Sequence, residues 1–352
     1  MRKIRAAVIG LGAISGAHTE VYRKSPHTEL VGICDVAETW LRECRRNWKV
    51  PHASTDWKEI VALPDLEAIS ICLPPPLHAS VTIAALKAGK HVLCEKPPAL
   101  NAAEARQMAE AAQKARKVFM VAFGYRFWRT SQQLKGLMAN EAFGEIYLAR
   151  AVYRRQLPGL PPPTMARADG ETYNRNWFNE RAKGGGALLD LGCHMCDLAL
   201  YFMGFPKVES VLGGAFNKFL PSFLKGTGLA SDADDHAAGM VRFANGALLE
   251  LEASYGCHGP SVMAVELMGD KGAAVLDGEG VRIFRQHGPL HLLARVTADE
   301  SPEQSVVEHF IEVVRGAADP VITPEHAVTV MEILDGIYKS AGWTRTPARK
   351  KK

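Results

Sequence analysis

Short apolar runs at residues 4–9, 30–34, 68–73, 91–94 and 118–123 punctuate the first third of the chain, separated by stretches with helical spacing of apolar positions. Runs that are apolar throughout predict strands covered on both faces. Helices between successive strands predict parallel pairing in a doubly wound sheet. Two of these helices carry start signals, Asp56 with Glu59 three residues on and Asn101 with Glu104. After Phe123 the pattern changes: runs at 145–153, 238–243, 248–254, 263–268 and 281–284 follow one another with short turns between them. Ala244-Asn245-Gly246 and Gly269-Asp270-Lys271-Gly272 read as hairpin connections. Leu249 and Leu251 alternate with Glu250 and Glu252, the pattern of a sheet with one dry and one wet face. The expectation is an exposed inner face bearing Leu249 and Leu251, which the few helices of this half leave for sheet-to-sheet association to cover. Val306, Val307, Phe310, Ile311 and Val314 mark one late amphipathic helix, and Val330, Ile333, Leu334 and Ile337, behind Pro324, mark another. Residues 157–176 and 218–235 lack helical periodicity and read as long loops, on the substrate side or as surface insertions.

Composition narrows the class. With 352 residues, 47% hydrophobic and 23% charged, the chain can bury a large core and divides into two expected domains. These are residues 1–123, an α/β domain, and 124–344, an α+β domain, ahead of a basic tail at 345–352. The net charge of +4 is concentrated in that tail: Arg345, Arg349, Lys350, Lys351 and Lys352 lie in the last eight residues, and subtracting these five charges leaves −1. A nearly neutral body argues against nucleic-acid binding. No signal-type segment opens the chain, and no apolar run reaches the roughly 18 residues that span a bilayer, so no membrane association is expected. Seven scattered cysteines fit reduced thiols of the cytoplasm.

Gly10-Leu11-Gly12-Ala13-Ile14-Ser15-Gly16 follows the first strand and opens a helix. Glycines there let the backbone turn tightly beneath a pyrophosphate, while the helix N-terminus supplies free N–H groups, so Gly10, Gly12, Ala13 and Ile14 are expected at the cofactor. Ser15 stands where the pattern asks for a third glycine, with Gly16 after it. Asp35 ends the second strand 25 residues after Gly10. It would accept hydrogen bonds from ribose hydroxyls and repel a 2′-phosphate, or else simply cap the next helix. NAD is favoured, with NADP open because Arg42, Arg45 and Arg46 follow.

Two further strand ends read Cys72-Leu73-Pro74-Pro75-Pro76-Leu77-His78 and Cys94-Glu95-Lys96-Pro97. Strand ends of this kind face the ligand crevice of an open parallel sheet, which adds Leu73, Pro74, His78, Glu95, Lys96 and Pro97 to the cofactor side. Gly184-Gly185-Gly186-Ala187-Leu188-Leu189-Asp190-Leu191-Gly192-Cys193-His194 follows later; a helix near Asp190 would set Asp190 and His194 on one face. Imidazole suits the removal of a hydroxyl proton near neutrality, which makes His194 the expected general base, Asp190 its orienter, and Lys96 the cation at the reacting oxygen. Tyr125 and Arg126 after the last strand of the first domain, Trp177, and His258 in Cys257-His258 are further substrate candidates, with Arg126 also at the cofactor. Cys193-His194-Met195-Cys196 has a metal spacing but no second ligand pair, so no metal is expected.

In this order, the glycine turn, Leu73 to His78, Glu95-Lys96-Pro97, Gly184 to His194 and the tail Ile337-Tyr338-Lys339-Ser340 resemble the glucose-fructose oxidoreductase, inositol dehydrogenase and rhizopine catabolism family, Gfo/Idh/MocA. The resemblance covers nearly the whole chain. It implies an N-terminal Rossmann domain with a doubly wound parallel sheet, and a C-terminal α+β domain with a large open, mainly antiparallel sheet. It also implies catalytic roles for Lys96, Asp190 and His194, allows a cis Lys96–Pro97 bond, and suggests a homodimer or homotetramer. The function expected is hydride transfer between NAD(P) and a hydroxyl carbon of a sugar, inositol or related polyol. A dinucleotide-sensing regulator of the same fold and an NAD-assisted glycosidase are the competing readings.

Overall fold

Six strands, β1 (Ile4–Ile9), β2 (Thr28–Cys34), β3 (His52–Ser54), β4 (Ala68–Ile71), β5 (His91–Cys94) and β6 (Phe119–Val121), pair in parallel in the order β3-β2-β1-β4-β5-β6. This is the strand order of a dinucleotide-binding Rossmann sheet. Every residue of β4 and β6 is buried, as cover on both faces requires. The cover comes from α1 (Ser15–Lys24), α2 (Glu38–Trp48), α3 (Trp57–Val61), α4 (His78–Lys87) and α5 (Ala102–Ala115). The Asp56 side chain caps α3 by accepting the Lys58 N–H, and that of Asn101 caps α5 by accepting the Glu104 N–H.

The second half carries α6 (Arg129–Ala139), β7 (Ile146–Gln156), a two-stranded ribbon of β8 (Thr164–Ala166) and β9 (Thr172–Asn174), α7 (Cys193–Met203), β10 (Val208–Phe216) and α8 (Leu220–Phe223). Then come β11 (His236–Phe243), β12 (Leu248–Cys257), β13 (Val262–Gly269), β14 (Ala273–Asp277), β15 (Gly280–His287) and β16 (Leu290–Thr297), with α9 (Val306–Val314) and α10 (Pro324–Ser340) last. Eight of these strands form one sheet, β10-β11-β12-β7-β13-β14-β15-β16, antiparallel except where β12 runs parallel to β7. The computed structural model describes residues 2–139, 143–157, 164–166, 172–174, 176–230, 232–287, 290–297 and 304–343; the expected basic tail lies outside them. The chain divides into two units, one of Met1–Phe123, Thr164–Asn174 and Gln304–Val328, the other of Gly124–Pro163, Arg175–Glu303 and Thr329–Lys352.

Three expectations need correction. Leu249 and Leu251 are 0% and 2% exposed, because α7 and the turn before it cover this face of β12. Their face needs no second molecule. The open face is the other one, where Arg150 pairs with Glu250 at 2.7 Å and Arg154 with Glu252 at 3.1 Å. The two long stretches expected to be loops contain the β8–β9 ribbon and α8, elements too short for a periodicity to register. Finally, the helical stretch Arg181–Met203 is long and apolar enough to cross a membrane, contrary to the sequence reading, but most of it is buried in its own unit's core.

Histidines make the first unit acid-sensitive. His91 Nδ1 accepts the Val118 N–H at 3.0 Å and His309 Nε2 accepts the Val321 N–H at 3.1 Å, so each ring must keep a lone pair. Burial pulls the pKa of both down, that of His91 to about 4 with help from the Lys117 charge, and burial lowers His78 as well. The unfolded chain takes up these protons near pH 6.5, the folded chain only at lower pH, so this stability is intact above about 6.5 and is lost as pH falls toward 4. Melting temperature is therefore expected to decline from about pH 6.5 downwards. The decline should be shallower in His91→Asn, whose amide oxygen can accept the same N–H. An unchanged slope in that variant would remove His91 from the account.

Candidate active site

β1 lies between β2 and β4, the switch point of the parallel sheet, and the chain turns from it directly into α1. Gly10 has φ +92, and an added Cβ would stand 2.5 Å from the Cys72 carbonyl oxygen, so only glycine fits. At Gly12 an added Cβ would meet nothing within 4 Å. Ala13 and Ile14 beside it are exposed, the N-cap Ile14 makes no side-chain capping bond, and the first turn of α1 holds no acid. Open backbone at an uncapped helix N-terminus fits a pyrophosphate, with the Gly10 to Ile14 segment as its cradle. Asp35 accepts the Leu11 N–H on Oδ2 and the Ala37 N–H on Oδ1, both at 2.8 Å. It thus ties the turn to the end of β2, and each oxygen retains a lone pair for a ribose hydroxyl.

Lys96 follows β5, half-buried, and its bond to Pro97 is cis. Glu95 is buried beneath it, accepting the Lys96 N–H on Oε2 at 3.1 Å, while its Oε1 lies 3.0 Å from His18 Nε2. The chain of contacts continues from His18 Nδ1 to Ser70 Oγ and from there to the Tyr22 hydroxyl, each at 2.9 Å. Burial opposes the Glu95 charge, yet the His18 hydrogen bond and the His18 and Lys96 charges hold its pKa below the ordinary carboxylate value. His78, expected at the cofactor, has a different task. It is 1% exposed, with Nδ1 2.7 Å from the Pro97 carbonyl and Nε2 2.6 Å from the Leu73 carbonyl; in the neutral form that burial favours it donates to one of the two, where the proline-rich turn meets the Lys96 loop. On that turn Leu73 is half-buried and Pro74 exposed.

In the second unit, Gly184-Gly185-Gly186 leads through a π-helical turn, Leu188–Gly192, into α7. A side chain at Gly185 would fall on the carbonyl oxygens of Trp177 and Phe178; one at Gly186, φ +116, would fall on the Asp234 carboxylate. Asp234 is fully buried. Its Oδ2 accepts the Leu188 N–H at 2.9 Å, its Oδ1 the Tyr338 hydroxyl at 2.6 Å, and its carbonyl the Ala187 N–H at 2.9 Å. Asp190 is buried on the π turn, and His194, half-exposed, stands four residues on in the first turn of α7. Single π turns in helices often mark functional sites. Tyr255 donates to the Gly186 carbonyl at 3.2 Å, and burial together with the Asp190 and Asp234 charges pushes its pKa well up. Among the described residues no group of three His, Cys, Asp or Glu side chains is arranged to hold a metal ion.

Tyr125 lies flat on His194, ring centroids 4.2 Å apart and planes 11° apart. Arg126 requires correction: it is 0% exposed, and its Nε and Nη2 donate to Asp197 at 2.9 and 2.6 Å, so its charge is committed inside the unit and is not offered to cofactor or substrate. Trp177 stacks on Phe178 at 3.6 Å, and the exposed His258 meets the edge of Phe219 at 5.4 Å. Lys96 belongs to the first unit and Asp190 and His194 to the second.

Sequence reasoning missed several residues. Tyr153 and Arg155 share parity with Ala149 and Ala151 on the dry face of β7, and Arg155 donates to the Tyr153 hydroxyl at 3.3 Å. Burial works against the Arg155 charge, but Tyr153, Asp190 and Tyr255 more than offset it and its pKa is raised. Polar residues at dry positions of a strand were the available signal, as Ser70 was inside β4. Nothing in the pattern marked His18, Asp197 or Asp234.

Residues 4–123 match the model of an oxidoreductase family with an NAD-binding Rossmann fold, and residues 131–275 match the GFO/IDH/MocA C-terminal domain. The chain is 30% identical to D-glucoside 3-dehydrogenase of Escherichia coli K12 over 348 residues, 96% of this chain and 95% of that protein. It is 32% identical to myo-inositol 2-dehydrogenase of Thermotoga maritima over 274 residues, 78% of this chain and 75% of that one. Levoglucosan dehydrogenase in complex with NADH superposes with a TM-score of 0.80 at 25% identity, over 97% of each chain. Both halves of the chain thus match in order, and it belongs to the GFO/IDH/MocA family of NAD-binding oxidoreductases.

Proposed function

We propose that this oxidoreductase interconverts a secondary alcohol and a ketone on a sugar, glycoside or inositol, with His194 as general base. The observation that carries the reading is the placement of half-exposed His194 one turn after buried Asp190 at the head of α7, in a chain whose relatives are named for glucoside and inositol oxidation. Bound NAD supplies the two-electron acceptor for the carbinol carbon. His194 takes the hydroxyl proton as the carbonyl forms. Asp190 orients the imidazole and favours the imidazolium, and the Lys96 ammonium donates to the reacting oxygen and stabilises its developing negative charge. The glycine turn holds the pyrophosphate, and Asp35 selects NAD over NADP.

The reading is tested by screening glucosides, free aldoses, levoglucosan, inositols and dihydrodiols for NAD reduction with purified protein; no reduction with any of them would overturn it. On the best substrate, His194→Ala should lower kcat by roughly 10²–10⁴-fold with little change in NAD affinity. Lys96→Ala should damage kcat and substrate KM together, and Asp190→Asn should lower kcat with a displaced pH profile. Near-normal turnover in His194→Ala would refute the assignment of the base.

The two glycines of the turn should separate in experiment. Gly12→Val is expected to keep the wild-type melting temperature and lose NAD binding, because its side chain enters open space over the cradle, whereas Gly10→Val should lose stability itself. Asp35→Ser should narrow the ratio of NADP to NAD dissociation constants; an unchanged ratio would leave Asp35 a purely structural tie.

We further propose a homodimer or dimer of dimers built on the open sheet face, where Leu212 and Met240 are 72% and 43% exposed on paired strands. Light scattering at micromolar concentration should exceed the 38.4 kDa of one chain. A monomeric mass would rule this out.

A further inference from the structure

The ring of Tyr125 is held from two sides. Trp128 stacks on it with centroids 4.0 Å apart, and His194 stacks on it at 4.2 Å. Two rings centred about 4 Å over one phenol cannot share a face without colliding, so Tyr125 is sandwiched between the indole and the imidazole. The turn that bears it, Gly124–Phe127, is bolted to α7 at its next residue by the two-pronged, fully buried Arg126–Asp197 ion pair. The rings of Tyr201 and Phe205 lie 5.1 and 4.9 Å from the Arg126 guanidinium. Asp197 is three residues beyond His194, on the same side of the helix. Adjacent residues of one turn therefore grip positions i and i+3 of α7, which sets both the separation and the angle of the two elements.

We propose that Tyr125 is a positioning residue for His194, a role that rests on the base assignment above. Its ring holds the imidazole plane in one orientation, and its π face stabilises the imidazolium formed when His194 takes up a proton. Trp128 backs the stack, and Arg126 with Asp197 keeps it in register. The other titratable and charged groups on the elements packed against this end of α7 are Asp190 on the π turn, Tyr153 and Arg155 on β7 and Tyr255 on β12. The remaining charges of the central strands pair on the opposite face of the sheet. All of these stay unchanged in variants of Tyr125, so a difference between such variants reports on the stack.

The test uses the full chain saturated with NAD. The His194 imidazole is followed by proton NMR titration, its resonance identified by its loss in His194→Gln, and turnover is measured on the fastest substrate of the screen. Tyr125→Phe keeps a ring and should leave the titration and kcat close to wild type. Tyr125→Leu should lower the imidazole pKa by roughly half a unit and kcat by about ten- to a hundredfold, with KM for NAD unchanged. A base works in its neutral form, so the acid limb of kcat against pH should move to lower pH in that variant.

An unshifted titration in Tyr125→Leu, or a Tyr125→Phe protein as impaired as Tyr125→Leu, would overturn the proposal, the second outcome pointing to a hydroxyl contact with substrate. Tyr125→Met fills the same volume without a π face. It serves if the leucine variant does not fold, and a wild-type titration in it is equally fatal. Full turnover in His194→Ala with the NMR shift present would overturn the base assignment and with it the catalytic sense of the stack, whereas loss of the shift alone overturns only the stack.

Discussion

Asp234 is a carboxylate with no access to solvent, and such a charge is tolerable only when its lone pairs are occupied. It takes one N–H from the start of the π turn and one hydroxyl from α10, and its backbone carbonyl takes a second N–H from Ala187. Hydrogen bonds to a buried charge are worth roughly 1.5–3 kcal/mol each, more than a neutral pair provides. The π turn has little freedom left once these are made. Gly186 is there because of the same contact, since any side chain on it would occupy the place of the carboxylate. Asp234 also joins two sequence motifs far apart in the chain, the triple-glycine segment and the tail containing Tyr338, although neither motif points to it.

The Lys96 loop is held in two chemically different ways. From beneath, Glu95 presents one oxygen to the lysine's own N–H and the other to His18, so the loop rests on an ionised carboxylate with a partner on each oxygen. From the side, the buried His78 ring lies between the carbonyls of Leu73 and Pro97, within 2.7 Å of each, and fills the space between the two strand-end turns.

The parallel sheet and its glycine turn were legible because continuous apolar runs and helical spacing report cover on both faces directly. The caps at Asp56 and Asn101 were legible for the same local reason. What escaped was long-range. Arg126 reads from sequence as a cation near the cleft; only its pairing with Asp197, 71 residues on, reveals it as internal. The orientation of β12 was readable from its alternation, but what covers Leu249 and Leu251 depends on α7 returning over the sheet, which no local pattern encodes. β3, β10, β14 and β16 escaped too, β3 through its three-residue length and β10 through a central Gly213-Gly214 that breaks the alternation.

The parallel pairing of β7 with β12 also has a consequence for how the second unit is made. Leu148 pairs with Leu248, so a central strand waits for a hundred residues of chain before it meets its neighbour, and the segment bearing Asp190 and His194 lies inside that loop. Loop closure of this length is entropically costly and contributes to slow folding. During synthesis α7 leaves the ribosome before β12 does, so the helix that packs on the dry face of β7 is available to cover it before its partner strand is made.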